Sequence, residues 1–176
     1  MTKFLLFAAL FISINIYGQN LDGIMNVKFG SSVEIVKKEM LSRSGVTLDN
    51  KSDTSYLLFK NVYFGGRETL FVSFKFYKNK FHTATVIIMP AFEQKLADLY
   101  ALIKSELDTK YFKGKDYPNA DVAYIWEFSN PQSKDKLKNT IIMNVTEYLN
   151  IELTYQDGLL AKPVLEAKKA KDKSDY

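Results

Sequence analysis

Between Glu68 and Tyr77 the side chains alternate so strictly that few conformations fit them. Leu70, Val72, Phe74 and Phe76 fall on one side, and Phe71, Ser73, Lys75 and Tyr77 on the other. Period two is the mark of an extended strand with two unlike faces. The segments on either side, Tyr56 to Phe64 and Phe81 to Met89, alternate as well, and the connections are short: Gly65-Gly66 and Lys78-Asn79-Lys80. Two glycines between alternating strands supply the positive φ that a two-residue hairpin turn demands at both central positions. A phosphate-binding loop would need a third glycine, a Lys-Ser/Thr pair and a following helix, none of which is present here. Asn61 to Ile88 therefore reads as part of a three-stranded antiparallel meander, with Gly65 and Gly66 as a structural turn.

What precedes and follows the meander has helical period. In NVKFGSSVEIVKKEMLSRSG, Ser31 and Glu34 form a capping-box pattern, the helix starts at Ser32, and Val33, Val36, Met40 and Leu41 share a face. Gly45 suits its stop, and the lead-in Asn26 to Phe29 reads as a possible edge strand. After the meander, Pro90 is expected to open a second helix, because its fixed φ and missing N–H suit a first turn. Phe92, Leu96, Leu99, Tyr100, Ile103 and Leu107 then recur at steps of three and four, the apolar stripe of a helix lying across a sheet.

Three more strands follow the loop KGKDYPNAD: Val122 to Ser129, Asn139 to Thr146 and Tyr148 to Tyr155. Their expected inward residues are Val122, Tyr124, Trp126 and Phe128, then Ile141, Met143 and Val145, then Leu149, Ile151, Leu153 and Tyr155. The order implies an α+β fold of two tandem units, 19–90 and 91–160, each a helix plus a three-stranded antiparallel meander, with the helices on one face of the sheet or sheets. The highly charged end, 161–176, reads as a solvated, disordered tail.

The first 18 residues read as a secretory signal peptide, with Lys3 before an apolar run from Phe4 to Ile16 and the small Gly18 at a cleavage point. The apolar run is shorter than the ~18 to 20 residues that cross a bilayer, and no later segment is long enough. The expected location is periplasmic or extracellular, with no membrane span in the mature chain. The chain has no cysteine, which removes disulfides, a lipoprotein anchor, Cys nucleophiles and Cys-based metal sites. The +4 balance is concentrated at the end, where five lysines follow Ala161 against three carboxylates. Without that segment and Lys3, 18 basic residues face 17 acidic ones, so the body is nearly neutral and nucleic acid is not the expected partner.

Chemistry-bearing residues are sparse. His82 is the only histidine, so a metal site or a catalytic triad lacks its other members, and a strand-surface histidine is the plainer reading. Glu127, Glu147 and Glu152 lie on strands of the second half, where a converging pair would serve acid/base hydrolysis. No catalytic, metal or cofactor site is expected. Two aromatic groups suit recognition instead. Phe71 and Tyr77 flank Lys75 on the face of the middle strand opposite Val72 and Phe74, and Tyr111, Phe112 and Tyr117 follow the long helix.

The first half, VKFGSSVEIVKKEM, then a polar gap, then LLFKNVYFGGRETLFVSFKFYKNKFHTATVII, resembles the BamE-like and β-lactamase-inhibitor-protein-like (BLIP-like) superfamily of secreted αβ repeats. The likeness covers Val27 to Ile88, while the second half matches it by element order. It implies helices packed on one face of an antiparallel sheet and a binding role: scaffolding of outer-membrane assembly in one branch, inhibition of a secreted enzyme in the other. The chain departs from the first branch in lacking the lipoprotein cysteine and from the second in lacking disulfides. The function expected is a non-catalytic module that recognises a protein or cell-envelope component through an exposed sheet face. Enzyme inhibition is the alternative, and a hydrolase built on sheet carboxylates a weaker one.

Overall fold

The computed structural model describes residues 20–91, 95–116 and 123–174, so the expected signal peptide lies outside the described residues. In chain order the elements are β1 (Gly23–Ile24), β2 (Val27–Lys28), α1 (Val33–Leu41), β3 (Thr47–Leu48), β4 (Tyr56–Lys60), β5 (Tyr63–Phe64), β6 (Arg67–Glu68), β7 (Phe71–Tyr77) and β8 (Lys80–Ile88). Then follow α2 (Leu96–Lys110), β9 (Lys115–Asp116), β10 (Ala123–Ser129), β11 (Lys138–Val145), β12 (Ile151–Gln156) and α3 (Gly158–Ser174). The fold is α+β with a large antiparallel sheet. Among the described residues that sheet has eight strands in the order β3-β4-β7-β8-β12-β11-β10-β9. β8 and β12 pair at its centre, Ile151 opposite Ile88 and Gln156 opposite Thr83, so both meanders share one continuous sheet.

One face of this sheet carries the core. Leu57, Phe59, Val72, Phe74, Phe81, Val86, Leu153, Met143, Trp126 and Phe128 cluster with Val36 and Met40 of α1 and with Leu99, Ile103 and Leu107 of α2. The two helices therefore pack on the same side. Phe74 stands edge-on to Phe59 and Phe81, with ring centroids 5.8 and 5.1 Å apart. Burying a large apolar side chain of this kind contributes ~1.5–3 kcal/mol. The indole Nε1 of Trp126 donates to Asp108 Oδ1 of α2 at 2.9 Å, which fixes the helix against β10.

The glycine turn forms as expected. Gly65 and Gly66 have φ of 57° and 75°, and Tyr63 pairs with Glu68 and Phe64 with Arg67 around them. The turn does not join two long strands, however, because the chain breaks at Asn61, with φ 57°, and again before Phe71. The result is a separate small hairpin, β5–β6, lying over the core face: Phe64 packs edge-on to Tyr155 and Arg67 pairs with Glu106 of α2. Leu70, expected inward, falls in this interruption and is exposed. The second turn is a tight one closed by Tyr77 and Lys80, and Lys78 and Asn79 take left-handed φ without glycine. Asn79 compensates by accepting from the N–H of Val33 at 3.0 Å, which ties the β7–β8 turn to the start of α1.

Several boundaries differ from the sequence reading, each for a local reason. The cap of α1 is Ser32, whose hydroxyl accepts from the Ile35 N–H, so Ser31 is not the cap and the helix begins at Val33; Leu41 turns outward. The lead-in folds into its own two-stranded hairpin, β1–β2, with Met25 and Asn26 left-handed, and does not extend the large sheet. Pro90 and Ala91 are not helical, and α2 begins at Leu96 after Lys95; Phe92 and Val122 lie outside the described residues. β12 begins at Ile151, because Thr146 to Asn150 form a turn in which Leu149 has φ 59° and points to solvent rather than inward.

The charged end is a helix. Asp157 Oδ1 accepts from the N–H groups of Leu159 and Leu160, both at 2.9 Å, satisfying donors that a helix start leaves open. Leu, Ala, Glu and Lys, abundant from Leu159 onward, are also strong helix formers. Composition suggested a tail, but the cap decides. α3 lies closest to β8, β11 and β7.

Candidate functional site

The sheet face opposite the core is where the aromatic residues singled out on β7 sit. Pairing sets its side chains in rows. Tyr56, Lys75, Thr83, Gln156, Thr140 and Glu127 stand side by side in one row, and Phe71, Ile87, Glu152, Asn144 and Ala123 in another. Lys75 is exposed, Tyr77 is 39% exposed and Phe71 is half-buried; none of the three belongs to the core cluster. Between the two rows Leu58, Thr85, Thr154 and Ile142 are half-buried, while Ser73 and Ile125 in the same row, and Thr83, Ile87 and Ala123 in the flanking rows, are buried. The face is thus polar and apolar in patches, with Lys75 and Tyr77 its accessible members.

Tyr111 and Phe112, the second aromatic group, are turned to a different task. Both rings pack on Phe128, at centroid distances of 5.1 and 5.0 Å. Tyr111 is part of the wall around the core, while Phe112 keeps an exposed edge; Tyr117 lies outside the described residues. The two groups are not brought together, since one lies on the core side of the sheet and the other on the opposite side.

The titratable candidates do not converge. Glu127 is held by Lys115 and Lys138, and the hydrogen bond from Lys115, above all, keeps its carboxyl below the usual range. Glu152 sits in the other row, where it accepts from Thr154 Oγ1, and Glu147 lies in the turn between β11 and β12. His82 is not on the strand surface. It is the extra residue of a β-bulge opposite Lys75 and Phe76 and is only 5% exposed, with Nδ1 2.8 Å from Thr83 Oγ1. Burial, then Lys75, lowers its pKa. Among the described residues no group of three or more His, Asp or Glu side chains could hold a metal ion, and no helix is long and apolar enough to cross a membrane.

The core side carries a feature that alternation did not reveal. Its cover leaves a crevice of about 430 Å³ between the β1–β2 hairpin, Phe64 of β5 and the end of α2. Tyr155 of β12 lines it, 2% exposed, together with Tyr111, Lys110, Asp22 and Lys28. Tyr155 was legible in the sequence as an inward residue. The gap above it was not, because it depends on how three separate pieces meet. A second buried polar group lies nearby at the end of the sheet: Asn130 donates to Asn139 and Asp157, and Asn139 donates to the Leu21 carbonyl at 2.7 Å. These three side chains satisfy one another and tie Leu21 to the start of β11, which is a structural role.

No protein-family model matches the chain, and comparison with curated proteins and with solved structures finds no significant match.

Proposed function

We propose that the protein is an exported, non-catalytic binding module that recognises a protein or cell-envelope component through the sheet face bearing Phe71, Lys75 and Tyr77. The observation that carries this reading is local to β7: α1, α2 and the core claim one face, while on the other, beside the buried Ser73, Thr83 and Ile87, Lys75 stays exposed, Tyr77 partly exposed and Phe71 half-buried. A partly exposed tyrosine beside apolar surface is typical of recognition surfaces, and the charge of Lys75 can orient a partner at its rim. The module is read as two helix-plus-meander units. In support, α1 precedes β4, β7 and β8, α2 precedes β10, β11 and β12, and the last strand of each set pairs with the other at the centre. This order is in keeping with the resemblance to BamE-like and BLIP-like αβ repeats.

The test is a comparison of envelope proteins retained by the wild-type chain and by a Phe71→Ala/Lys75→Glu/Tyr77→Ala variant of equal thermal stability. A partner held by the first and lost by the second is expected. Identical retention by both would remove this face from consideration.

The alternative, inhibition of a secreted enzyme, is favoured by one observation. The β11–β12 turn presents Tyr148 and Leu149, 78% and 65% exposed, and holds Leu149 left-handed, where glycine is the usual choice. A protruding apolar tip kept at a conformational cost suits insertion into a cleft. Under this reading Leu149→Gly relieves the strain and weakens inhibition together.

A further inference from the structure

The crevice over Tyr155 is built where two independently covered parts of the sheet meet, with the β1–β2 hairpin on one side, the end of α2 on the other and Phe64 between them. Such seams are common positions for small-ligand sites, and about 430 Å³ lies within the usual range for them. Its lining is specific. Three rings, Phe64, Tyr111 and Tyr155, border it beside Ile24, Met25 and Val27. The Tyr155 hydroxyl, in a residue 2% exposed, has no hydrogen-bond partner among the described residues. The buried side-chain atoms left without a partner among the described residues are Arg43 Nε, Thr140 Oγ1 and Asn144 Oδ1 and do not include this hydroxyl, so it is reached from the crevice and is available to an occupant. Lys28 and Lys110 on the lining outnumber Asp22, which makes the site favour negative charge.

We infer that this crevice is a binding site for a small aromatic acid, its ring lying among Phe64, Tyr111 and Tyr155, its polar atoms bonding to the Tyr155 hydroxyl and its anionic group meeting Lys110. The site is on the core side of the sheet and stands independently of any partner bound to the opposite face.

Two fluorescent probes with the same ring skeleton test it on the full chain: anilinonaphthalene sulfonate, which carries the anion, and the uncharged N-phenylnaphthylamine. One sulfonate probe per folded chain is expected to bind, more tightly than the neutral probe. Lys110→Met should weaken the sulfonate about tenfold, the loss of one hydrogen bond to a charged group, and leave the neutral probe unchanged. Tyr155→Phe removes one oxygen and keeps the ring, so it should weaken the sulfonate several-fold while leaving the melting temperature unchanged or higher. Phe71→Ala, on the far face, should change neither probe. Absence of saturable sulfonate binding, preference for the neutral probe, or equal affinity in Tyr155→Phe, Lys110→Met and the wild type would each overturn the proposal.

Discussion

Adjacent residues of β7 live in different worlds. Phe74 is fully buried between Phe59 and Phe81, and Lys75, one position along, is exposed on the reverse of the same strand. The contrast repeats across the sheet: Trp126 against Glu127 on β10, Leu153 against Glu152 on β12. What differs is the free energy at stake. Substitutions on the core face act through cavities and lost packing, whereas at exposed reverse-face positions such as Lys75 they act mainly on what the protein touches; Ser73, Thr83, Ile87 and Ile125 of that face are buried and belong with the first kind.

The sharpest way to break that separation is a pair of neighbours. Phe74→Ala should cost about 3–5 kcal/mol in denaturant unfolding, while Lys75→Ala should stay within ~0.5 kcal/mol. Similar losses from both would show that the reverse face is packed at Lys75 as well. Asp157→Ala, which removes the carboxylate at the start of α3 and a partner of Asn130, is expected to cost about 1–2 kcal/mol and to lower helical circular dichroism. Gly66→Val forces a branched residue to φ 75° and should also cost ~1–2 kcal/mol; normal thermal stability would refute the turn.

Smaller effects sharpen the comparison. His82 interrupts it, a polar residue buried at the bulge next to Lys75. Its folded pKa lies below the ordinary value near 6.5, so between the two values the unfolded chain binds more protons. Stability should therefore be full above pH ~7 and fall as pH drops through the unfolded value towards the lower folded one. Glu127, Asp49 and Asp53 are depressed carboxyls and contribute losses only at lower pH, through their folded values. Unfolding midpoints from pH 7.5 to 5.5 that are equally flat for the wild type and His82→Gln would contradict the buried placement. The smallest change is a gain: Leu149→Gly should stabilise by ~0.5 kcal/mol, relief of left-handed strain less the entropy of glycine.

Much of this architecture is legible because alternation and helical period report which way a side chain faces. Val72, Phe74, Trp126, Met143, Leu153, Val36 and Ile103 all lie where period two or 3.6 puts them. The failures occur where a non-local partner decides. Nothing in YLLFKNVYF signals a break at Asn61, because the β5–β6 hairpin exists to reach Tyr155 and Glu106, both remote in sequence. His82 looked like a surface residue because a bulge shifts its register, and bulges leave no mark in composition. Leu149 is expected inward by parity with Ile151, but the connection between β11 and β12 takes up Thr146 to Asn150 rather than Glu147 alone. For the candidate sites, Phe71, Lys75 and Tyr77 follow directly from alternation on one strand. The crevice over Tyr155 requires the meeting of β1–β2, β5 and α2, which no single stretch encodes.

Among the described residues the sheet ends on both sides in a strand of two residues, Thr47–Leu48 and Lys115–Asp116. An edge that short offers another chain too few unpaired N–H and C=O groups for a stable ladder, and Lys115 and Asp116 place charge on one of them. Large sheets are exposed to uncontrolled growth by strand addition, in which copies of one chain lengthen each other's sheets into aggregates. Here the aromatic-rich strand β7 is kept inside the ladder between β4 and β8, whereas β10 is paired with β9 only at Tyr124 and Ile125, so among the described residues a chain without disulfides shields one of its two most aromatic strands fully and the other in part.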